Sequence, residues 1–333
     1  MTSAHSFAAG GRGIAAVELL VRLILKTFMD SQTARSLTIL IPTFDRPHEV
    51  NGRLREIEAL WGSDVIVHVQ VNPGKHSAAE IDRSLFSGPL TVRENTSNIG
   101  VVGNIVAGIQ GITTEWVWIL GDDDILVPEA RARIEEAMRL CDESASNAAV
   151  FNHWFQSPHA EPVICRDLKS FTEATGFGDA LFISGTIWRT CHFRRYLQDV
   201  VEYSYCWSSQ VLPHVISVTE GNASVLVSND RLINCRAVHR WSRHEFLERL
   251  PVFLEHPAVR SNRGEMLAFM WPAIGWSLGE ALGQVRRGEV AVGELVRVYF
   301  KYLRNLVRYR PSLLFARNGI LALPLKWLLG RGR

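Results

Sequence analysis

Three carboxylates stand side by side in Trp116-Val-Trp-Ile-Leu-Gly-Asp-Asp-Asp-Ile-Leu-Val-Pro128, directly after an apolar run. Asp122, Asp123 and Asp124 repel one another there unless something cationic compensates them. Magnesium and manganese suit such a place. These hard ions take one or two carboxylates and complete their shell with water and phosphate oxygens. The same acids have a second reading, because aspartates just ahead of Pro128 also favour the positive end of a helix opening there. Two other loops are chemically loaded: Pro42-Thr-Phe-Asp-Arg-Pro47, which includes Asp45, and Asn72-Pro-Gly-Lys75.

The segments around these loops must hold them at one edge. Leu37–Ile41, Val65–Val71, Leu90–Val92, Trp116–Leu120 and Ala148–Phe151 are short apolar runs of strand length. Between them lie a polar helical stretch through about Leu60, then Ile99, Val102, Val106 and Ile109 at helical spacing, then a helix from Pro128 to about Leu140. Strand alternating with helix predicts an α/β fold, a mostly parallel sheet flanked by helices, with ligands bound beyond the carboxyl ends of its strands. The second half mixes strand-like runs (Leu181–Trp188, Ser224–Val227, Leu232–Val238) with loops, and residues 264–309 read as about two helices.

Of the 333 residues 47% are hydrophobic and 21% charged, the composition of an ordinary folded protein, and a net charge of +2 gives no reason to expect nucleic-acid binding. The charge is unevenly placed. After Glu294 there is no acid, while Arg297, Lys301, Arg304, Arg308, Arg310, Arg317, Lys326, Arg331 and Arg333 are basic. Interleaved with Val298, Tyr299, Tyr302, Leu303, Leu306 and Val307, they make a basic amphipathic helix. Such a helix can lie on an anionic bilayer or pack on the domain with its charged face in water. Residues 14–28 and 313–329 are the most apolar stretches, but Glu18, Arg22 and Lys26 break the first, and Arg317 and Pro324 the second. Neither reads as a membrane span. Five widely spaced cysteines (Cys141, Cys165, Cys191, Cys206, Cys235) suit reduced thiols in the cytoplasm.

The loops also carry a resemblance. Leu37-Thr-Ile-Leu-Ile-Pro-Thr-Phe-Asp-Arg-Pro47, Asn95-Thr-Ser-Asn-Ile-Gly-Val-Val-Gly-Asn104 and the aspartate triplet, in that order, resemble glycosyltransferase family 2, of GT-A type. Within it they look like the abequosyltransferase-like branch, over about residues 37–240. The resemblance implies a GT-A nucleotide-diphospho-sugar transferase fold with a helical C-terminal extension. Pro42, Thr43 and Phe44, with Asp45 in the same loop, match the loop that cradles the nucleotide base, and Asn98 and Gly100 match the loop before a helix near the nucleotide. Asp122 and Asp123 match the pair on the ribose and metal, and Asp124 the position just after. His239, in Arg236-Ala-Val-His-Arg-Trp-Ser242, matches a histidine that often completes the metal or diphosphate site.

The implied organisation is an amphipathic extension over 1–35, a catalytic domain over 36–241 and a basic helical region over 242–333. The catalytic domain divides into a nucleotide-binding half, 36–150, and an acceptor half, 151–241. The implied activity is inverting, Mn2+- or Mg2+-dependent transfer of a hexosyl or deoxyhexosyl group from a nucleotide-diphosphate sugar to a saccharide acceptor. A lipid-linked glycan of cell-surface polysaccharide assembly is the expected acceptor, with the protein peripheral on the cytoplasmic face of the membrane.

This chain departs from the family in three places, one of them Gly121, which stands where many members have the first aspartate of an Asp-x-Asp motif. Asn72 and Pro73 stand where acids usually hold the base, so Asn72 is the donor-binding candidate there. Cys206-Trp-Ser-Ser-Gln210 stands where the family's catalytic carboxylate usually lies, leaving Glu202, Asp199 and His214 as the nearest titratable candidates for the base. That gap supports a rival reading, a degenerate member that binds nucleotide sugar or glycan at the membrane without turnover. A nucleotidyltransferase or a dinucleotide-dependent oxidoreductase would show a glycine-rich loop after the first strand, and Pro42-Thr-Phe-Asp-Arg46 has no glycine.

Overall fold

The computed structural model describes residues 37–144, 148–151, 161–206, 208–221, 223–234 and 243–314. Its centre is an eight-stranded sheet in the order β3-β2-β1-β4-β8-β6-β9-β7. The strands are β1 (Leu37–Phe44), β2 (Ile66–Asn72), β3 (Leu90–Glu94), β4 (Trp116–Ile119), β6 (Ala148–Phe151), β7 (Val163–Cys165), β8 (Thr186–Arg189) and β9 (Val225–Ser228). A separate short ladder pairs β5 (Ile125–Leu126) with β10 (Ile233–Asn234), antiparallel. Strands β1 to β4 pair in parallel, as the strand–helix alternation predicts, and β8 runs antiparallel to both β4 and β6.

The parallel half forms because its strands can be dry on both faces. Leu37, Ile39, Leu40 and Ile41 are all buried, and each such side chain contributes about 2 kcal/mol on leaving water. Helix α1 (Pro47–Trp61) opens on a proline, whose missing N–H costs nothing there, and buries Val50, Leu54, Ile57 and Trp61 along one stripe. Gly62 ends it with a φ of 53°, in the left-handed region that glycine enters freely. Helices α2 (Gly100–Gln110) and α3 (Ala130–Ser144) follow β3 and β5.

The register Phe44↔Asn72 aligns the carboxyl ends of β1 and β2, and Leu40↔Ile119 brings the end of β4 alongside. All three loaded loops therefore emerge at one edge. The expected strand over Leu181–Trp188 is corrected: only Thr186–Arg189 joins the sheet. Ahead of it, Phe182 N donates to Asp179 O (3.0 Å) and Gly185 N to Phe182 O (3.0 Å). These turns use the backbone groups that a strand ladder would have used. Of Leu232–Val238, Ile233–Asn234 is strand; residues 235–242 lie outside the described residues.

The second half adds helices α4 (Leu168–Ala174), α5 (Phe177–Leu181), α6 (Thr190–Arg195), α7 (Leu197–Glu202) and α8 (Leu212–Glu220). Then come α9 (Arg243–Arg249), α10 (Pro257–Arg260), α11 (Arg263–Arg286) and α12 (Val292–Tyr309). The predicted pair of helices over 264–309 is thus α11 and α12. Phe171, Phe177, Val215, Met270, Ile274, Val298 and Tyr302 belong to one hydrophobic cluster, so the C-terminal helices and the second half of the sheet share a core. On α12 the buried face is Leu295, Val298, Tyr302 and Leu306, and Tyr302 OH donates to Leu247 O at 2.8 Å. Val298, Tyr302 and Leu306 were half of the apolar set that the sequence offered to a membrane. They are spent on the protein interior.

A second buried cluster includes two histidines. His214 is fully buried, its ring 3.8 Å from that of Trp188, and neither ring nitrogen has a hydrogen-bond partner among the described residues. His192 Nε2 hydrogen-bonds Ser217 Oγ at 2.6 Å, and the Ser217 hydroxyl donates to Pro213 O. Burial, reinforced by Arg195, pushes the His192 pKa from 6.5 down to about 4, and burial holds His214 well below its ordinary value. Above the ordinary value both folded and unfolded states are neutral. As pH falls below it, the unfolded chain gains a proton that the fold refuses, and stability drops until about pH 4. His192 alone accounts for about 3 kcal/mol of this loss. Urea midpoints should therefore fall between roughly pH 7 and roughly pH 4.5, and fall less in His192→Gln. An equal fall in the variant would remove His192 as the cause.

Candidate active site

The site is built at the carboxyl edge of β1 and β4. Asp122 is only 7% exposed, and a carboxylate at that depth requires partners. Thr43, the last buried residue of β1, donates from Oγ1 to Asp122 Oδ2 at 2.7 Å. Arg46 supplies the charge. Its Nη1 lies 2.9 Å from Asp122 Oδ1 and 2.8 Å from Asp123 Oδ2, so one guanidinium nitrogen bridges two neighbouring acids. Burial raises the Asp122 pKa against the opposing pull of Thr43 and Arg46. Burial also opposes the charge on Arg46, but the two carboxylates outweigh it and its pKa is raised. The carboxylate repulsion expected from the triplet is thus met by a cation from within the chain.

Asp124, the third expected metal ligand, is placed differently from its two neighbours. Its Oδ2 accepts from Ser184 Oγ at 2.5 Å, its backbone oxygen accepts from Arg53 Nη1, and its N donates to Gly121 O at 3.2 Å. Ser184 Oγ in turn accepts from Gly121 N at 2.7 Å. Asp124 therefore closes the turn inward while Asp122 and Asp123 meet at Arg46. A Cβ at Gly121 would sit 2.6 Å from Asp124 Oδ2, so a larger residue there would have to displace that carboxylate. Among the described residues no three His, Cys, Asp or Glu side chains converge as a ready metal-binding group. His239 lies outside the described residues.

The other candidates divide by surroundings. Phe44 is 45% exposed at the end of β1, and Pro42 lies just inside it. Asp45 has a φ of 56°, and its Oδ1 accepts from His76 N at 3.0 Å, tying the first loop to the second. Asn72 is buried and its side chain is committed. Its Nδ2 donates to Gly100 O (3.1 Å), and its Oδ1 accepts from Asn95 Nδ2 (2.8 Å) and Ile99 N (3.4 Å). Asn98 Oδ1 accepts from Gly100 N at 3.0 Å and so shapes the entry to α2.

Of the base candidates, Glu202 lies exposed at the end of α7, accepting from Gln198 Nε2 at 2.7 Å. Asp199 Oδ1 pairs with His256 Nε2 at 3.0 Å. His214, expected as a catalytic group, sits in the core against Trp188, where no hydroxyl from solvent reaches it.

Arg46, Ser184 and a set of carboxamides were not singled out from the sequence. Asn95 Nδ2 also donates to Asn104 Oδ1 (2.8 Å), Gln70 Nε2 donates to Asn95 Oδ1 (2.8 Å), and Asn104 Nδ2 donates to Gln70 O (2.9 Å) and Thr43 O (3.2 Å). Arg46, Asn95 and Asn104 stood inside the recognised motifs. Gln70 was one of three polar residues, with His68 and Asn72, in strand β2. A hollow of about 610 Å3 lies at the opposite edge, at the amino ends of β2 and β3, and brings no convergent charged groups together.

No protein-family model and no curated protein matches this chain. Solved structures do. A mannosyltransferase from Pyrobaculum calidifontis, in complex with GDP-Man and Mn2+, is similar with a TM-score of 0.51 at 12% identity, over 88% of this chain and 86% of that one. S. aureus TarS is similar with a TM-score of 0.48 at 14% identity over 70% of this chain, which spans 42% of its length. A shorter TarS chain in complex with UDP gives 0.48 at 14% identity, over 82% of this chain and 89% of that one. The mannosyltransferase likeness identifies the architecture: a mostly parallel sheet flanked by helices in the GT-A arrangement, with a helical C-terminal region.

Removing the cation tests the charge pairing. Arg46→Met should cost about 2 kcal/mol at neutral pH, because a nearly buried carboxylate loses its counter-charge. Adding Asp122→Asn should restore much of the loss. Urea denaturation of the two single variants and the double one checks this; additive effects would show that the pair is not coupled.

Proposed function

We propose that this protein is a glycosyltransferase that takes a sugar from a nucleoside diphosphate at the Asp122–Asp123 edge and passes it to a saccharide hydroxyl. The observation carrying the reading is the convergence of Asp122 and Asp123, with Thr43 and Arg46, at the carboxyl edge of the parallel strands. That edge is where ligands of open α/β sheets bind. The mannosyltransferase of like fold, solved with GDP-Man and Mn2+, supports the donor class and the ion.

Asp122 and Asp123 fit a divalent cation. Two carboxylates suffice for Mg2+ or Mn2+ when phosphate oxygens and water complete the shell. When bound, the ion supplies positive charge against the diphosphate leaving group. Arg46, on the adjoining loop, adds a fixed cation suited to phosphate oxygens. Phe44, with the exposed Ile99 and Val101 at the start of α2, offers an apolar surface for the base. Asn72 serves this reading by holding α2 in place through Gly100, Ile99 and Asn95.

Transfer is a single inverting displacement. The acceptor hydroxyl oxygen bonds to the anomeric carbon as the bond from that carbon to the diphosphate oxygen breaks. The hydroxyl proton passes to a carboxylate, for which Glu202 is the accessible candidate; Asp199 is held by His256 and His214 is sealed in the core. A lipid-linked saccharide is the proposed acceptor class. A second reading, binding without turnover, draws support from Ser208 and Ser209. Both are fully buried where a catalytic acid would stand.

Two measurements separate these readings. Nucleoside diphosphates and their sugars should raise the melting temperature, more so with manganese, and Asp123→Ala should abolish the manganese-dependent part. A wild type indifferent to every nucleotide would end the proposal. Glu202→Gln should cut transfer by about a hundredfold or more while leaving the donor-induced shift unchanged. Unaltered transfer would place the base elsewhere, and a wild type that binds donors yet transfers to none of a broad acceptor panel would establish the binding-only reading.

A further inference from the structure

Helix α12 carries more apolar surface than the protein covers. With successive side chains about 100° apart, Leu295, Val298, Tyr302 and Leu306 form the buried face. Val292, Val296, Phe300, Leu303 and Val307 fall in the next sector, an arc of about 80°. Leu303 is half-buried, but Val292 is 62% exposed, Val296 45%, Phe300 59% and Val307 56%. Large side chains standing out at every turn of one helix differ from the scattered apolar residues of an ordinary surface. Beside this stripe, within an arc of about 60°, come Arg297, Lys301, Arg304 and Arg308, all exposed. Arg297 holds Glu248 Oε1 at 2.7 Å and Lys301 holds Glu248 O at 3.0 Å, which seats the inner edge of the basic strip on α9.

We infer that the outward face of α12 is a docking surface for an anionic lipid bilayer. Charge complementarity selects this occupant. The strip stays net cationic although Glu248 pairs with Arg297: no acid follows Glu294, and residues 315–333 add Arg317, Lys326, Arg331 and Arg333. The same helix of a second copy would bring the same basic strip, with Glu294 its one acid. A leaflet of anionic headgroups over acyl chains meets both requirements together, with the arginines and lysine at the phosphates and Val296, Phe300 and Val307 at the boundary below them. The helix then lies in the plane of the surface, its other face still locked to α9 and α11. The chain rests on the membrane without crossing it, and no described helix is long and apolar enough to span one.

Docking and sugar transfer are independent, so each can fail alone. The full chain should co-sediment with vesicles of phosphatidylcholine and phosphatidylglycerol, less with phosphatidylcholine alone, and less as salt rises and screens the charges. Phe300→Ser with Val307→Ser should weaken binding at least tenfold, and Arg304→Glu with Arg308→Glu should remove its dependence on anionic lipid. Because these side chains point outward, melting temperatures and nucleotide-induced shifts should stay at wild-type values in both variants. A wild type that ignores anionic vesicles would overturn the inference, as would variants that bind like wild type. Dispersal of a wild-type dimer by Phe300→Ser, without any lipid binding, would assign the stripe to a second copy instead.

Discussion

A nearly buried carboxylate at the end of a central strand needs a counter-charge, and in this protein Asp122 obtains it from Arg46. Much of the local structure follows from that need. Arg46 must turn back over the sheet edge immediately after β1, and Asp45 makes the turn by adopting a left-handed φ of 56°. Aspartate tolerates that conformation better than most residues, because its short polar side chain can bond locally. It does so here, through His76 N, in a space left open by Gly74, where a Cβ would lie 2.1 Å from Asp45 Oδ1. A single guanidinium nitrogen between two carboxylates is also a monovalent arrangement at a place suited to a divalent ion. On the function proposed above, a metal and a diphosphate would compete for the geometry that stabilises the free fold.

Behind this edge lies a second constraint of a different kind. Gln70, Asn72, Asn95 and Asn104 are linked through carboxamide hydrogen bonds, and Asn104 also reaches the backbone of β1 and β2. Buried amides with their bonds satisfied fix relative positions more sharply than apolar contacts, because each lost bond costs a full desolvation. The network holds the start of α2 against the ends of β1 and β2.

Helix α12 shows how one amphipathic segment can serve two environments. Its apolar arc is wider than a helix needs to pack on a domain. The domain takes the sector of Val298 and Tyr302, and the neighbouring sector of Val296 and Phe300 stays in water. The basic strip borders the exposed sector. On the docking inferred above, a helix with that order of faces would lie on a charged surface while its third side stays packed on the folded core.

Element order and the placement of the loaded loops were legible in the residues themselves. The strands β1 to β4, the helices after them and α11 and α12 follow from local periodicity, with Pro47 opening α1, all of which act within a few residues; Pro42, read as ending the first strand, lies inside β1. The edge that gathers Thr43, Asn72 and Asp122 follows as well, since parallel strands joined by helices must present their carboxyl ends together. What only the tertiary structure decided were partnerships between distant residues. Arg46 and Asp122 are separated by 76 positions, and Ser184 and Asp124 by 60. No local pattern distinguishes Asp124, turned inward to Ser184, from Asp123, turned outward to Arg46. The same holds for His214, whose burial against Trp188 depends on how α8 meets β8, and for α12, whose apolar arc says that something covers it but not how much the domain itself supplies. Spacing along a chain determines which faces exist; only packing determines what each face meets.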